Sequence, residues 1–109
     1  MLKFVKIGQQ TPPKRNVGTR KEDFKEIYNE FINRKAQEQS SRCSQCGVPF
    51  CQIHCPLSNN IPDWLKLTAE GRLKEAYELS QSTNNMPEVC GRICPQDRLC
   101  EGNCVIEQS

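Results

Sequence analysis

Eight cysteines in 109 residues carry whatever chemistry this chain performs. They fall into two groups. The first is Cys43-x2-Cys46-x4-Cys51-x3-Cys55-Pro56 and the second is Cys90-x3-Cys94-Pro95-x4-Cys100-x3-Cys104. In bacterial ferredoxins three cysteines of a short run bind one cubane iron–sulfur cluster, while a fourth, followed by proline, binds the other. Cys55-Pro56 has the form of that fourth cysteine, and Cys94-Pro95 repeats the step. By this analogy Cys43, Cys46 and Cys51 hold iron of one 4Fe–4S cluster, closed by Cys104 from the far end of the chain. Cys55, Cys94 and Cys100 hold a second cluster, and Cys90 is the arithmetic candidate for the eighth ligand. Cys51 and Cys55 lie about one helical turn apart, so the two clusters would sit close together, as an electron relay requires.

Two other uses of eight cysteines compete. Two zinc sites would consume them all, but zinc modules usually show paired C-x2-C knuckles, and this chain has one such pair, Cys43–Cys46. Disulfides belong to oxidising compartments. Residues 1–8 contain no apolar stretch long enough for a secretory signal, so a reducing cytoplasm is expected. His54 stands between Cys51 and Cys55 and reads as an exposed or neighbouring residue rather than a ligand. The sequence holds no G-x-G-x-x-G, G-x-x-x-x-G-K-[ST] or H-E-x-x-H, and no nucleophile–base pair is evident. The chain alone is therefore expected to pass electrons and not to be catalytic.

The elements that must position these thiols are helical. Hydrophobic residues make up 36% of the chain and aromatic residues 6%, so a core of aliphatic and aromatic side chains would be thin. Something held by cysteine must supply part of the stability. Residues 1–18, with Thr11-Pro12-Pro13, are expected to be an extended lead-in. Thr19-Arg20-Lys21-Glu22 fits a capping box. Phe24, Ile27, Tyr28, Phe31 and Ile32 then predict an amphipathic helix over 20–38, its stripe reading as core, with a partner-docking face as the alternative. Residues 40–60 read as a loop. Asn60-Ile61-Pro62 starts a helix that Gly71 ends, Leu73 to about residue 82 forms another, and Asn84-Asn85-Met86-Pro87 opens a third. No alternating strand pattern occurs, so the fold class is all-α, with cysteine-rich loops wrapping the clusters over residues 19–109.

The net charge of +2 conceals a split. Residues 1–42 carry ten Lys or Arg against five Asp or Glu, and residues 43–109 carry five against eight. The basic residues are scattered among acidic ones at helical spacing, which describes a solvated or protein-docking surface better than a nucleic-acid site. No apolar run approaches the length of a membrane span. The ending, Cys104-Val105-Ile106-Glu107-Gln108-Ser109, carries no cap or terminal helix, which reads as a larger protein cut short.

The stretches Arg42-Cys43-x2-Cys46-Gly47-Val48-Pro49-Phe50-Cys51, Cys55-Pro56-Leu57 and Asn60-Ile61-Pro62 resemble the N-terminal iron–sulfur domain of bacterial NADPH-dependent glutamate synthase small (β) subunits. Thr83-Asn84-Asn85-Met86-Pro87-Glu88, Gly91-Arg92-Ile93-Cys94-Pro95 and Cys100-Glu101-Gly102-x-Cys104 strengthen the likeness, and the N-terminal domain of dihydropyrimidine dehydrogenase shares the cysteine frame. The resemblance implies a relay from NADPH-reduced FAD, in domains beyond residue 109, through two 4Fe–4S clusters to a large subunit that makes glutamate from glutamine and 2-oxoglutarate. It implies Cys43, Cys46, Cys51 and Cys104 for the first cluster and Cys55, Cys94 and Cys100 for the second. The second cluster's fourth ligand would be a Glu or Gln beyond residue 109, which makes Cys90 a substitute ligand or, preferably, a bystander. The same module in another NAD(P)H-dependent oxidoreductase, pyrimidine-reducing or ferredoxin-linked, is the alternative within the class, and a zinc-stabilised interaction module the alternative outside it.

Overall fold

The computed structural model describes residues 1–108, and they are helical: α1 (Val17–Glu22), α2 (Asn33–Ser40), α3 (Phe50–Ile53), α4 (Ile61–Ala69), α5 (Leu73–Gln81) and α6 (Pro87–Ile93), with 3-10 turns at Lys3–Val5 and Gln96–Arg98. No strand forms among them; one isolated antiparallel bridge joins Lys14 and Tyr28. The all-α expectation therefore holds.

The frame of the domain is the α4–α5 pair, with α2 packed on α4. Pro62 sits in the first turn of α4, where its missing N–H costs no hydrogen bond, and Asp63 in the same turn complements the helix dipole. Gly71 (φ 79°) takes the left-handed conformation after α4 and turns the chain into α5. Asn59 then locks the pair antiparallel. Its Nδ2 donates to the Ser80 carbonyl (2.9 Å) and Thr83 Oγ1 (2.8 Å), and its Oδ1 accepts from Trp64 Nε1 (2.8 Å). Asn84 Oδ1 accepts from Met86 N (2.9 Å) and leads into α6, which begins at Pro87 as expected.

The apolar core is as thin as the composition implies. Among the described residues Ala76 is the buried hydrophobic residue outside proline, and Pro62 is buried at the start of α4. The radius of gyration is 14.6 Å, against about 13 Å for a compact chain of this length. The accessible surface is 7951 Å², against roughly 6,200 Å² for a compact monomer of this mass.

Two expectations fail. The helix over 20–38 is broken: α1 ends at Glu22, α2 begins at Asn33, and residues between are not helical. The cap of α1 is Asn16, whose side chain accepts from Gly18 N (2.7 Å), not Thr19. Side chains and the lead-in take the backbone groups a helix would use. Asp23 accepts from Lys25 N (2.9 Å) and pairs with Arg15 (2.7 Å), and Glu26 accepts from Ile27 N (2.9 Å). Arg15 N donates to the Ile27 carbonyl and Asn29 N to the Pro13 carbonyl, each at 2.8 Å. Acidic side chains that bond nearby backbone offer an alternative to helix. The stripe consequently leaves the core: Phe24 is fully exposed, Ile27, Tyr28 and Ile32 are exposed, and Phe31 is half-buried.

The lead-in is the second correction. It contains a 3-10 turn and the start of α1, and it folds back on the domain. Leu2 N donates to the Cys43 carbonyl (2.9 Å), Lys3 N to the Ser41 carbonyl (3.0 Å), and Arg42 Nε to the Ile7 carbonyl (2.8 Å). Gln9 Nε2 reaches Glu101 Oε1 (2.8 Å). Residues 2–9 thus strap the first cysteine group to the second.

Candidate metal centre

All eight cysteines are free thiols and all are half-buried. Ser40, Ser41 and Arg42, just ahead of Cys43, are buried. Ser41 Oγ donates to the Glu38 carbonyl (2.6 Å), so the first loop leaves the end of α2 from a fixed point. Gln45 (φ 53°) bends it in the left-handed region. The single turn of α3 carries Cys51, and Cys55 follows it, its N–H donating to the Gln52 carbonyl (3.2 Å). Residues 40–60 were expected to hold no helix, so α3 is a small addition.

The second group is built on α6. Cys90 lies inside the helix and its carbonyl accepts from Cys94 N (2.9 Å), while Cys94 leaves the helix with ψ 129°. The chain then winds around one acceptor: the Gln96 carbonyl takes Leu99 N (3.1 Å), Glu101 N (2.9 Å) and Gly102 N (3.4 Å). This winding sets Cys100 and Cys104 and brings Gly102 against the Asp97 backbone.

Two of the thiols are shifted by burial and by neighbouring thiols. Burial pushes the Cys51 thiol up to about 11, and Cys104, Cys43 and Cys100 push it the same way; a hydrogen bond from the Gln52 backbone opposes them. Burial also raises Cys100, opposed by the Glu101 backbone hydrogen bond and assisted by Cys94 and Cys55. Cys104, Cys43 and Cys100 thus lie within electrostatic reach of Cys51, and Cys94 and Cys55 within reach of Cys100. Cys46 lies in the same loop as Cys43, its Sγ 3.1 Å from Ser44 Oγ.

The donor set suits a cluster. Eight free, half-buried thiols match the thiolate ligation of iron–sulfur clusters. His54 is exposed, as one of the two expected settings had it, and its Nδ1 lies 2.9 Å from the Phe50 carbonyl. Gln45 had no part in the sequence reading. Its side-chain Nε2 donates to Cys43 Sγ (3.3 Å) and to the Pro62 carbonyl (2.7 Å), and its backbone N donates to Cys43 Sγ (3.4 Å). Its place between Cys43 and Cys46 was the one signal available.

Comparison with known proteins agrees with this chemistry. A family model described as dihydropyrimidine dehydrogenase domain II, 4Fe–4S cluster, matches residues 20–109. The chain is 72% identical over 109 residues to the glutamate synthase (NADPH) small chain of Azospirillum brasilense, covering 100% of this chain and 23% of that protein. It is 52% identical over 106 residues to the protein of the same name from Escherichia coli K12, covering 97% and 22%. The one from Bacillus subtilis 168 is 41% identical over 112 residues, covering 94% and 22%. The chain thus spans less than a quarter of the length of these relatives.

Proposed function

The chain belongs to the dihydropyrimidine dehydrogenase domain II, 4Fe–4S cluster, family, and from that premise we propose that it is a two-cluster electron-transfer domain of a glutamate synthase small subunit. Cys43, Cys46, Cys51 and Cys104 hold the first cluster; Cys55, Cys94 and Cys100 hold the second, with Cys90 beside it. The observation that carries this is the match of residues 20–109 to a 4Fe–4S family, in a chain whose eight half-buried cysteines form no disulfide. When bound, the clusters supply reversible one-electron storage at two neighbouring points.

The chain's own residues do the rest. The raised Cys51 thiol must release its proton to become a ligand, as metal binding to cysteine requires. The strap of residues 2–9 holds the two cysteine groups together, and the α4–α5 frame fixes the first loop. Because the apolar core is thin, cluster binding and folding are one equilibrium.

The partners follow from the relatives' names and from the surface. The accessible area exceeds that of a compact monomer by roughly 1,800 Å², enough to serve an interface of standard size. Phe24, Ile27, Tyr28 and Ile32 contribute exposed apolar surface. These features support docking against FAD- and NADPH-binding domains of the same subunit and a large subunit in which glutamate is made. No described helix is long and apolar enough to cross a membrane.

Iron and acid-labile sulfide analysis of anaerobically purified protein tests the proposal. A four-iron cluster on Cys43, Cys46, Cys51 and Cys104, with a broad charge-transfer absorbance, is expected in this chain, and a second wherever the ligand beyond residue 109 is present. Colourless protein with stoichiometric zinc would overturn it.

A further inference from the structure

We propose that Gln45 tunes the reduction potential of the first cluster by donating two hydrogen bonds to the sulfur of Cys43. The inference rests on the assignment of Cys43 as a ligand. One residue delivers both donors: the backbone N–H at 3.4 Å and the side-chain Nε2 at 3.3 Å from Sγ. The amide is not free to swing away, because Nε2 also donates to the carbonyl of Pro62 (2.7 Å), a buried residue in the first turn of α4. The backbone is committed to the same end. Gln45 has φ 53°, a conformation L-residues other than Asn and Asp seldom take. The bonds to the sulfur and to α4 are made from this left-handed bend. A tertiary contact to the helix frame therefore aims an amide at a ligand atom.

Hydrogen bonds to cluster sulfurs are among the levers that set cluster potentials. A donor stabilises the reduced form more than the oxidised form, because reduction adds negative charge that spreads onto the thiolate sulfurs. Gln45 thus makes the first cluster easier to reduce. It acts through Cys43 and is a positioning residue.

The test uses the cluster-loaded protein and two variants. Gln45→Met keeps the length of the side chain and removes its donor. Gln45→Gly removes the donor and also relieves the positive φ. With iron and sulfide content unchanged, redox titration followed by EPR should show the first cluster's midpoint lowered alike in both. The expected shift is about tenfold in the reduction equilibrium, or ~59 mV for one electron. Unchanged midpoints in cluster-replete variants overturn the proposal, as does a shift in Gln45→Met that Gln45→Gly reverses, which assigns the effect to backbone strain. Pulsed EPR of reduced wild-type protein carrying side-chain 15N-glutamine decides the matter even where the variants lose their clusters. A resolved 15N coupling supports the proposal, and its absence overturns it. Wild-type protein without iron and sulfide overturns the ligand assignment itself, a distinct result.

Discussion

The α-carbon of Gly102 faces the backbone carbonyl of Asp97 so closely that a Cβ at that position would overlap the carbonyl oxygen. The approach is made by backbone, so no side chain can swing aside to make room. It lies between Cys100 and Cys104, in the segment wound around the Gln96 carbonyl. Gly102→Ala must push this winding open, at a cost of about 1–3 kcal/mol, as overpacking of a tight site does. Because Cys100 and Cys104 flank this winding and are proposed ligands of different clusters, both clusters should be affected. The expected result is a lowered melting temperature and reduced iron content; Gly91→Ala, where a Cβ meets nothing within 4 Å, serves as the control.

Removing a ligand thiol should differ from removing a bystander. Cys51→Ser takes away a half-buried thiol proposed as a ligand, and it should abolish the first cluster's EPR signal and destabilise the domain. Cys90→Ser should leave both iron content and EPR spectra unchanged. Loss of the second cluster in Cys90→Ser would make Cys90 a ligand.

The contact between α6 and the segment before α2 should respond to acid. Arg92 pairs with Glu26 and, with the Tyr28 and Ile27 backbone bonds, holds the Glu26 carboxyl at about 2, below its ordinary 4.5. A depressed folded pKa contributes stability that is complete above the unfolded value and is lost as pH falls from 4.5 towards 2. Pulsed hydrogen exchange, brief enough to precede acid loss of the clusters, should show amides 27–29 opening more readily as pH falls below 4.5. The change should be absent in Glu26→Gln and weakened in high salt, since the pair is exposed.

Asn59 should matter more for folding than for metal. Its amide satisfies Ser80, Thr83 and Trp64 together. Asn59→Ala leaves the partly buried Trp64 Nε1 and the Ser80 carbonyl without their partner, costing about 1–3 kcal/mol. Chemical denaturation of the cluster-loaded protein should show the lower midpoint, with the first cluster's redox midpoint unchanged.

Much of this protein was legible in its residues. The number and spacing of the thiols, the all-α class, α4 from Pro62 to the Gly71 turn, α5, and the start of α6 at Pro87 all follow from signals contained within a few positions. Proline's missing N–H, glycine's access to positive φ and the softness of thiolates act locally, and nothing elsewhere in the fold reverses them. The thin core was legible for the same reason: composition limits how much apolar surface any fold of this chain can bury.

Long-range competition decided the rest. The stripe from Phe24 to Ile32 has a helical period, yet Pro13, Arg15 and the carboxylates of Asp23 and Glu26 claim its backbone hydrogen bonds, so periodicity did not become helix. The lead-in's role as a strap depends on partners up to 92 residues away. The meeting of Gln45 with Cys43 and Pro62 at once required α4 to pack beside the first cysteine loop. Spacing states which residues are able to bind; only the folded chain, by closing loops of tens of residues, determines which of them meet.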